Sequence, residues 1–353
     1  MDLIPCLPDE IARECLIRVP YNQFSTLSAV SKGWKEEVES VQFHQQRKAG
    51  GLSRAIVALT QAEQNRASPA LKYPATPAYR LTLFEPATGS WSSLPPAPGF
   101  PDGLPLFCQC AGVGRNLVVI GGWNPTTWEV SKAVFVFDFM SGKWRRGADM
   151  PGGSRSFFAC ASDSDRKVFV AGGHDDEKNA LNSAMSYDLA KDEWAPLPDM
   201  ERQRDECKGI FHAGKFHVIG GYSTDMQGRF ERSAEVFDVA TWQWSKVEED
   251  VLDTGSCPRT CVAGTEGKFY RCKAGHVAVL EGVMWRSVAE LPADIRLSPN
   301  LLTWQGNLLV LGMAKYGGPY ATYVLESPNY TWRKVETPEE YSGHVQAGCC
   351  LEM

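Results

Sequence analysis

Histidine is scarce in this chain, six among 353 residues, and five of the six, His44, His212, His217, His276 and His344, are scattered. The sixth, His174, opens His174-Asp175-Asp176-Glu177, the one local run resembling a ligand set. Adjacent residues on a tight loop seldom converge on one ion, so no metal centre is expected. Also missing are a C-x-x-C pair and any run of the roughly 18 apolar residues that a membrane-spanning helix needs. The opening Met1-Asp2-Leu3-Ile4-Pro5 lacks the basic flank and apolar core of a secretion signal. The eleven cysteines are therefore expected to be reduced thiols, with Cys108, Cys110, Cys160, Cys207, Cys261 and Cys349 packed as small hydrophobes in strand-like runs. The expected location is the cytoplasm, with the nucleus as a second compartment. The Gly-Gly pairs lack the spaced third glycine and following helix that would cradle a phosphate. Thirty-six basic against 42 acidic residues give a net charge of −6, and no basic stripe stands out, which argues against nucleic acid and anionic membranes as partners. No cofactor is expected.

What the chain does have is a repeat. Five times an acidic residue precedes a tryptophan by six positions: Glu85 and Trp91, Asp138 and Trp144, Asp188 and Trp194, Asp238 and Trp244, Glu326 and Trp332. Three copies also carry an apolar run ending in Gly-Gly, at Gly122, Gly173 and Gly221, some 22 residues before the tryptophan. A period of roughly 50 residues built of short strands is the pattern of a β-propeller blade. Trp285 marks a degenerate copy with Ala274-Gly275 where Gly-Gly should stand, and the last copy has Gly312-Met313 there. Each tryptophan is expected to pack between neighbouring blades, and each acid to hold the turn after it.

The predicted blades run over about 106–147, 155–197, 204–247, 258–288 and 297–335, with a first blade over about 52–95. That first blade lacks an innermost strand, and residues 343–352 resemble one. The expected fold is therefore mainly β: a six-bladed propeller over 49–353, its first blade completed by the C-terminal strand, which pairs otherwise open edges. Residues 62–78, rich in Pro and Ala, read as a surface loop inside that blade. Residues 1–48 differ in kind. Apolar positions at helical spacing, including Ile11 and Leu16, then Phe24, Leu27 and Val30, then Trp34, Val38, Val41 and Phe43, predict three short helices. So small an all-α unit is marginal alone, and some of its apolar faces need a partner.

The run Leu7-Pro8-Asp9-Glu10-Ile11, continuing through Leu16, Val19-Pro20, Leu27, Val30-Ser31-Lys32 and Trp34, resembles an F-box, and the Gly-Gly, acid and Trp repeats resemble kelch repeats. Together they cover nearly the whole chain and are similar to the plant kelch-repeat F-box proteins. The runs from Arg155, Arg204 and Gly343 resemble the group that recruits phenylalanine ammonia-lyase, with close relatives linked to cytokinin response regulators. This resemblance implies a non-catalytic substrate receptor of a Skp, cullin and F-box ubiquitin ligase, with phenylalanine ammonia-lyase as first target and phenylpropanoid synthesis as the regulated process. It also implies that Leu7, Pro8, Ile11, Leu16, Val19, Pro20, Leu27, Val30 and Trp34 face the adaptor. A non-degradative propeller scaffold is the alternative.

Strand alternation places the loops joining second to third strands, and those joining blades, on one face of the ring. Those loops carry Trp123, Trp128, His174, Tyr222, Arg229, Tyr316 and Tyr320. Arg155, Arg204, Arg259 and Arg296 fall roughly sixteen residues before the end of a second strand, near the channel mouth. Aromatics and arginines are the types enriched at interface hot spots, so these eleven residues are the candidate target-binding set. The competing expectation is that the arginines bridge blades and the tyrosines are ordinary rim residues.

Overall fold

A computed structural model describes residues 3–63, 77–264 and 266–353. The predicted loop over 62–78 lies mostly outside the described residues. Among the described residues, twenty-four strands form six four-stranded antiparallel sheets. In five sheets the strands follow chain order from the channel outward; in the first the order is Val345–Glu352, Ala55–Ala62, Tyr79–Glu85 and Ser90–Ser93. The C-terminal strand is therefore innermost in blade 1, paired with Ala55–Ala62 in a register that sets Ile56 opposite Leu351 and Leu59 opposite Gly348. Closing the ring by pairing the first strands of the propeller with its last leaves no blade without its inner strand, as the sequence pattern predicted.

Each tryptophan of the repeat joins its blade to the one before it by donating its indole N–H to a backbone carbonyl. The acceptors are Pro95 for Trp144, Ala148 for Trp194, Pro198 for Trp244, Val251 for Trp285 and Glu290 for Trp332. Trp91 closes the circle on Glu336, at 3.2 Å. The degenerate copy thus keeps the interblade link. The acids hold the following turns: Asp138 accepts from the N–H of Met140, Asp188 from Ala190 and Lys191, and Asp238 from Ala240 and Thr241. The Gly-Gly ends are needed where the chain turns back toward the preceding strand. Gly172 and Gly173 have φ of +65° and +82°, and a Cβ on Gly173 would lie 2.3 Å from the carbonyl oxygen of Ser156.

The helical module contains four α-helices, not three: α1 (Asp9–Leu16), α2 (Phe24–Val30), α3 (Lys32–Glu39) and α4 (Val41–Ala49). The apolar spacing from Trp34 to Phe43 suggests one helix, but Ser40 interrupts it with extended backbone and caps α4 by accepting from the N–H of Phe43. The module core of Leu16, Ile17, Phe24, Leu27, Val38 and Phe43 closes only by including Met140 from the turn between the third and fourth strands of blade 2. Arg47, buried, donates to the carbonyls of Ile17, Val19 and Leu52 and lies over the Phe24 ring. Arg115 in blade 2 donates to the carbonyl of Glu39, and Lys48 pairs with Glu352. Met140 and Arg115 lie in turns between third and fourth and between first and second strands, and Glu352 ends the innermost strand of blade 1 on the same side. The module therefore sits on the ring face opposite the long loops.

Candidate functional site

Two surfaces at opposite poles can receive partners. The first is on the helical module. Leu7, Ile11 and Val30 are 36%, 50% and 58% exposed, a high value for large apolar side chains, and Pro8 and Pro20 are exposed beside them. Pro8 occupies the N-cap of α1. Leu16 and Leu27 are instead buried in the module core, and Val19 and Trp34 are half-buried against it. Burial at those positions corrects the nine-residue set: Leu16 and Leu27 shape the face from beneath, because α1 and α2 must turn one side inward to close a core this small.

The second surface is the loop face of the propeller. There the structure divides the candidate residues sharply. Arg155 and Arg204 are buried, and both perform one task. Arg155 donates to the carbonyls of Gly172 and Ser183 and to the Ser183 hydroxyl; Arg204 donates to the carbonyls of Gly220 and Ser233 and to the Ser233 hydroxyl. Each guanidinium thus ties together the two ends of the long loop between second and third strands of its own blade. Burial pulls the Arg155 pKa down to about 10. Arg204 is 0% exposed and also pairs with Glu235 at 3.0 Å, whose carboxylate accepts from the N–H groups of Glu201 and Arg202. Meanwhile the Arg204 carbonyl accepts from the N–H of Gly173, so one residue joins blades 3 and 4. These two arginines are architecture, and a partner cannot reach them.

Tyr222 and Tyr320 are buried as well, the first donating to Glu206 and the second to the carbonyl of Ser298. His174 is buried with Nδ1 2.9 Å from both carboxylate oxygens of Asp205, under a stacked Phe157 ring. Its neighbour Asp175 is turned into its own loop, accepting from the N–H groups of Glu177 and Asn179. Hydrogen bonds from Asn179 and Glu177 hold the Asp175 carboxyl below its ordinary range despite partial desolvation. Among the described residues no group of three or more His, Cys, Asp or Glu could hold a metal.

The surface that remains accessible is made of Trp128, Arg229, Arg259, Arg296 and Tyr316, all exposed, with Trp123 half-buried and donating to the Ser156 hydroxyl. Tyr316 is 92% exposed at the tip of the short loop of blade 6. Arg296 donates to the carbonyl of Ala293. Outside the eleven candidates stand Phe107 and Phe157, whose rings lie 5.0 Å apart at the channel mouth, and Lys208 on the innermost strand of blade 4. Phe107, Phe157 and Glu206 occupy the same place in three successive blades, and each has a left-handed φ of +50° to +59°. A bulky side chain in that conformation is costly, and the cost is tolerated here in three blades where it lifts the side chain toward the mouth. A lone Lys in the otherwise apolar run from Cys207 to Phe211 was the available signal for Lys208.

Comparison with known proteins agrees with both halves. Residues 4–46 match the F-box domain family, and residues 107–280 match the KLHDC2/KLHL20/DRC7 Kelch-repeats domain. Two Arabidopsis thaliana proteins, F-box/kelch-repeat protein At1g15670 and F-box/kelch-repeat protein At1g80440, are each 49% identical to this chain, with 100% of both partners covered. F-box/kelch-repeat protein SKIP20 from the same plant is 36% identical over 77% of this chain and 73% of its own. The solved structure of YjhT superposes with a TM-score of 0.58 at 13% identity, over 72% of this chain and 91% of that one, which speaks to the propeller fold alone. With a helical module and a six-bladed ring that match along their full length, the chain belongs to the plant F-box/kelch-repeat protein family.

Proposed function

We propose that this protein is the target-selecting subunit of a Skp, cullin and F-box ubiquitin ligase. The observation that carries the reading is the polarity of the molecule: exposed apolar side chains Leu7, Ile11 and Val30 on a helical module at one pole, accessible aromatics and arginines at the other. An adaptor groove covering the first patch leaves the second free for a target. The propeller then contributes no bond chemistry; it raises the local concentration of target lysines near a ubiquitin-charged enzyme. Phenylalanine ammonia-lyase is the first target to test, on the resemblance of the runs beginning at Arg155, Arg204 and Gly343, and would make the protein a brake on phenylpropanoid synthesis through proteasomal degradation. A cytokinin response regulator is the second.

The test is a pull-down from plant extract under proteasome inhibition, comparing the intact chain with one carrying Leu7→Ala and Pro8→Ala. Both positions are exposed, so the double change should leave folding stability within about 0.5 kcal/mol. The intact chain is expected to recover a Skp-type adaptor and cullin together with a target; the variant should recover the target alone. Equal adaptor recovery by both, or by neither, sinks the reading.

A further inference from the structure

Lys208 and Arg259 are two cations that converge on the channel without a partner. The cavity they share takes lining residues from all six blades, among them Cys110, Cys160, Asn300 and His344, so it is the axial channel. Among the described residues neither cation makes a hydrogen bond or ion pair with the rest of the chain. The nearby acids are hydrogen-bonded, Asp205 with His174 and Glu206 with the Tyr222 hydroxyl at 3.0 Å; the Glu206 carboxylate lines the same cavity, so the mouth holds two cations against one anion. Both cations line one cavity of about 150 Å³, together with Asn300, His344, Gln346 and the Phe107 and Phe157 rings.

An unpaired, half-buried ammonium in such a place is unfavourable in the isolated chain, and desolvation lowers its pKa. A group of the opposite charge would remove that penalty, and the flanking rings and amides would fix its approach. We propose that the channel mouth between Lys208 and Arg259 is a carboxylate-binding site that receives an acidic segment of the protein target. This deepens the receptor reading given above and rests on it. The carboxylate could come from an Asp or Glu side chain or from a chain terminus; the chemistry is shared and the experiment separates the sources.

Full-length protein, purified with its Skp-type adaptor, is titrated calorimetrically with four probes: hexaglutamate with an amidated C-terminus, hexaglutamine amide, hexaglutamine with a free C-terminus, and inorganic phosphate. The expected result is that hexaglutamate amide binds at least about tenfold more tightly than hexaglutamine amide, and that Arg259→Glu and Lys208→Met each remove the difference. Arg259 is exposed and unpartnered, so its variant keeps the test standing should the Lys208 change disturb folding. If instead the free-terminus hexaglutamine carries the affinity and loses it in both variants, the site is still a carboxylate site and the source is the terminus. Binding that is equal for all peptides, binding that survives both variants, or binding of phosphate alone overturns the proposal. Adaptor recovery is scored on the same samples. Retained adaptor without peptide discrimination defeats this inference only, whereas loss of adaptor from the intact chain defeats the receptor reading.

Discussion

Blades 4 and 5 are neighbours built on one repeat, yet they use the arginine at the head of the blade in opposite ways. In blade 4, Arg204 is buried and clamps the two ends of a long loop, residues 220–233, between its second and third strands. In blade 5 the same two strands, Phe269–Lys273 and His276–Glu281, are joined by the tight turn Ala274-Gly275, whose φ values of +49° and +79° suit a two-residue hairpin. The turn between first and second strands is three residues longer in blade 5, so the register sets Arg259 where Lys208 stands in blade 4, not where Arg204 does; it has no loop to hold and remains exposed. With a tight turn in place of the long loop, blade 5 needs no such clamp, and its arginine lines the channel instead. Arginines at a similar distance from the end of the second strand thus take different places because the first turn of blade 5 is longer, which is why spacing alone grouped all four together.

The comparison presupposes a closed ring, and the largest expected effect comes from opening it. Deleting Val345–Glu352 strips blade 1 of its inner strand and should abolish cooperative unfolding altogether, a loss comparable to the whole stability of about 5–15 kcal/mol for a domain. Thermal melts with size-exclusion chromatography check this; a monomeric truncation with an unchanged melt would contradict the closure.

Next in size is the contrast between the arginines themselves. Arg204→Ala leaves the Glu235 carboxylate buried without its cation and should cost about 3–5 kcal/mol. Arg259→Ala should stay within about 0.5 kcal/mol, since the side chain touches no partner. Urea denaturation of the two variants side by side breaks the comparison if their costs are alike.

The smallest effect sharpens the seam between the two blades. His217 of blade 4 meets Phe269 of blade 5 edge to face at 5.1 Å, and burial, helped by His212 and Lys215, brings its pKa from 6.5 down to about 4. The folded state therefore resists a proton that the unfolded state accepts, so this site's contribution is intact above pH 6.5 and declines as pH falls toward 4. His217→Leu should flatten that part of the acid limb in a stability-against-pH curve. An unchanged limb would place the acid sensitivity elsewhere.

The propeller was legible because each repeat writes its own local constraints. Gly-Gly marks a backbone that admits no Cβ, the acid six residues before Trp marks a turn, and the Trp marks a seam; all are consequences of neighbours close in sequence. The candidate site was legible in kind and less so in detail. Trp128, Arg259 and Tyr316 are accessible as expected, but Arg155, Arg204, His174, Tyr222 and Tyr320 are inside. The buried pair Arg204–Glu235 had a faint trace, an acid within the apolar strand Ala234–Asp238. The role of Met140 had none, since its partners Phe24, Val38 and Phe43 come from a separate module.

By itself the sequence determined the six blades, the closing strand and the separate helical module, because strand alternation, turn chemistry and the Trp repeat act over a few residues and recur. Which side chains meet at the ring axis was decided only by the tertiary structure. Lys208 and Arg259 are 51 residues apart and lie in different blades. Their proximity comes from closing the ring, which brings every blade's innermost strand to one channel, and no local pattern can encode that.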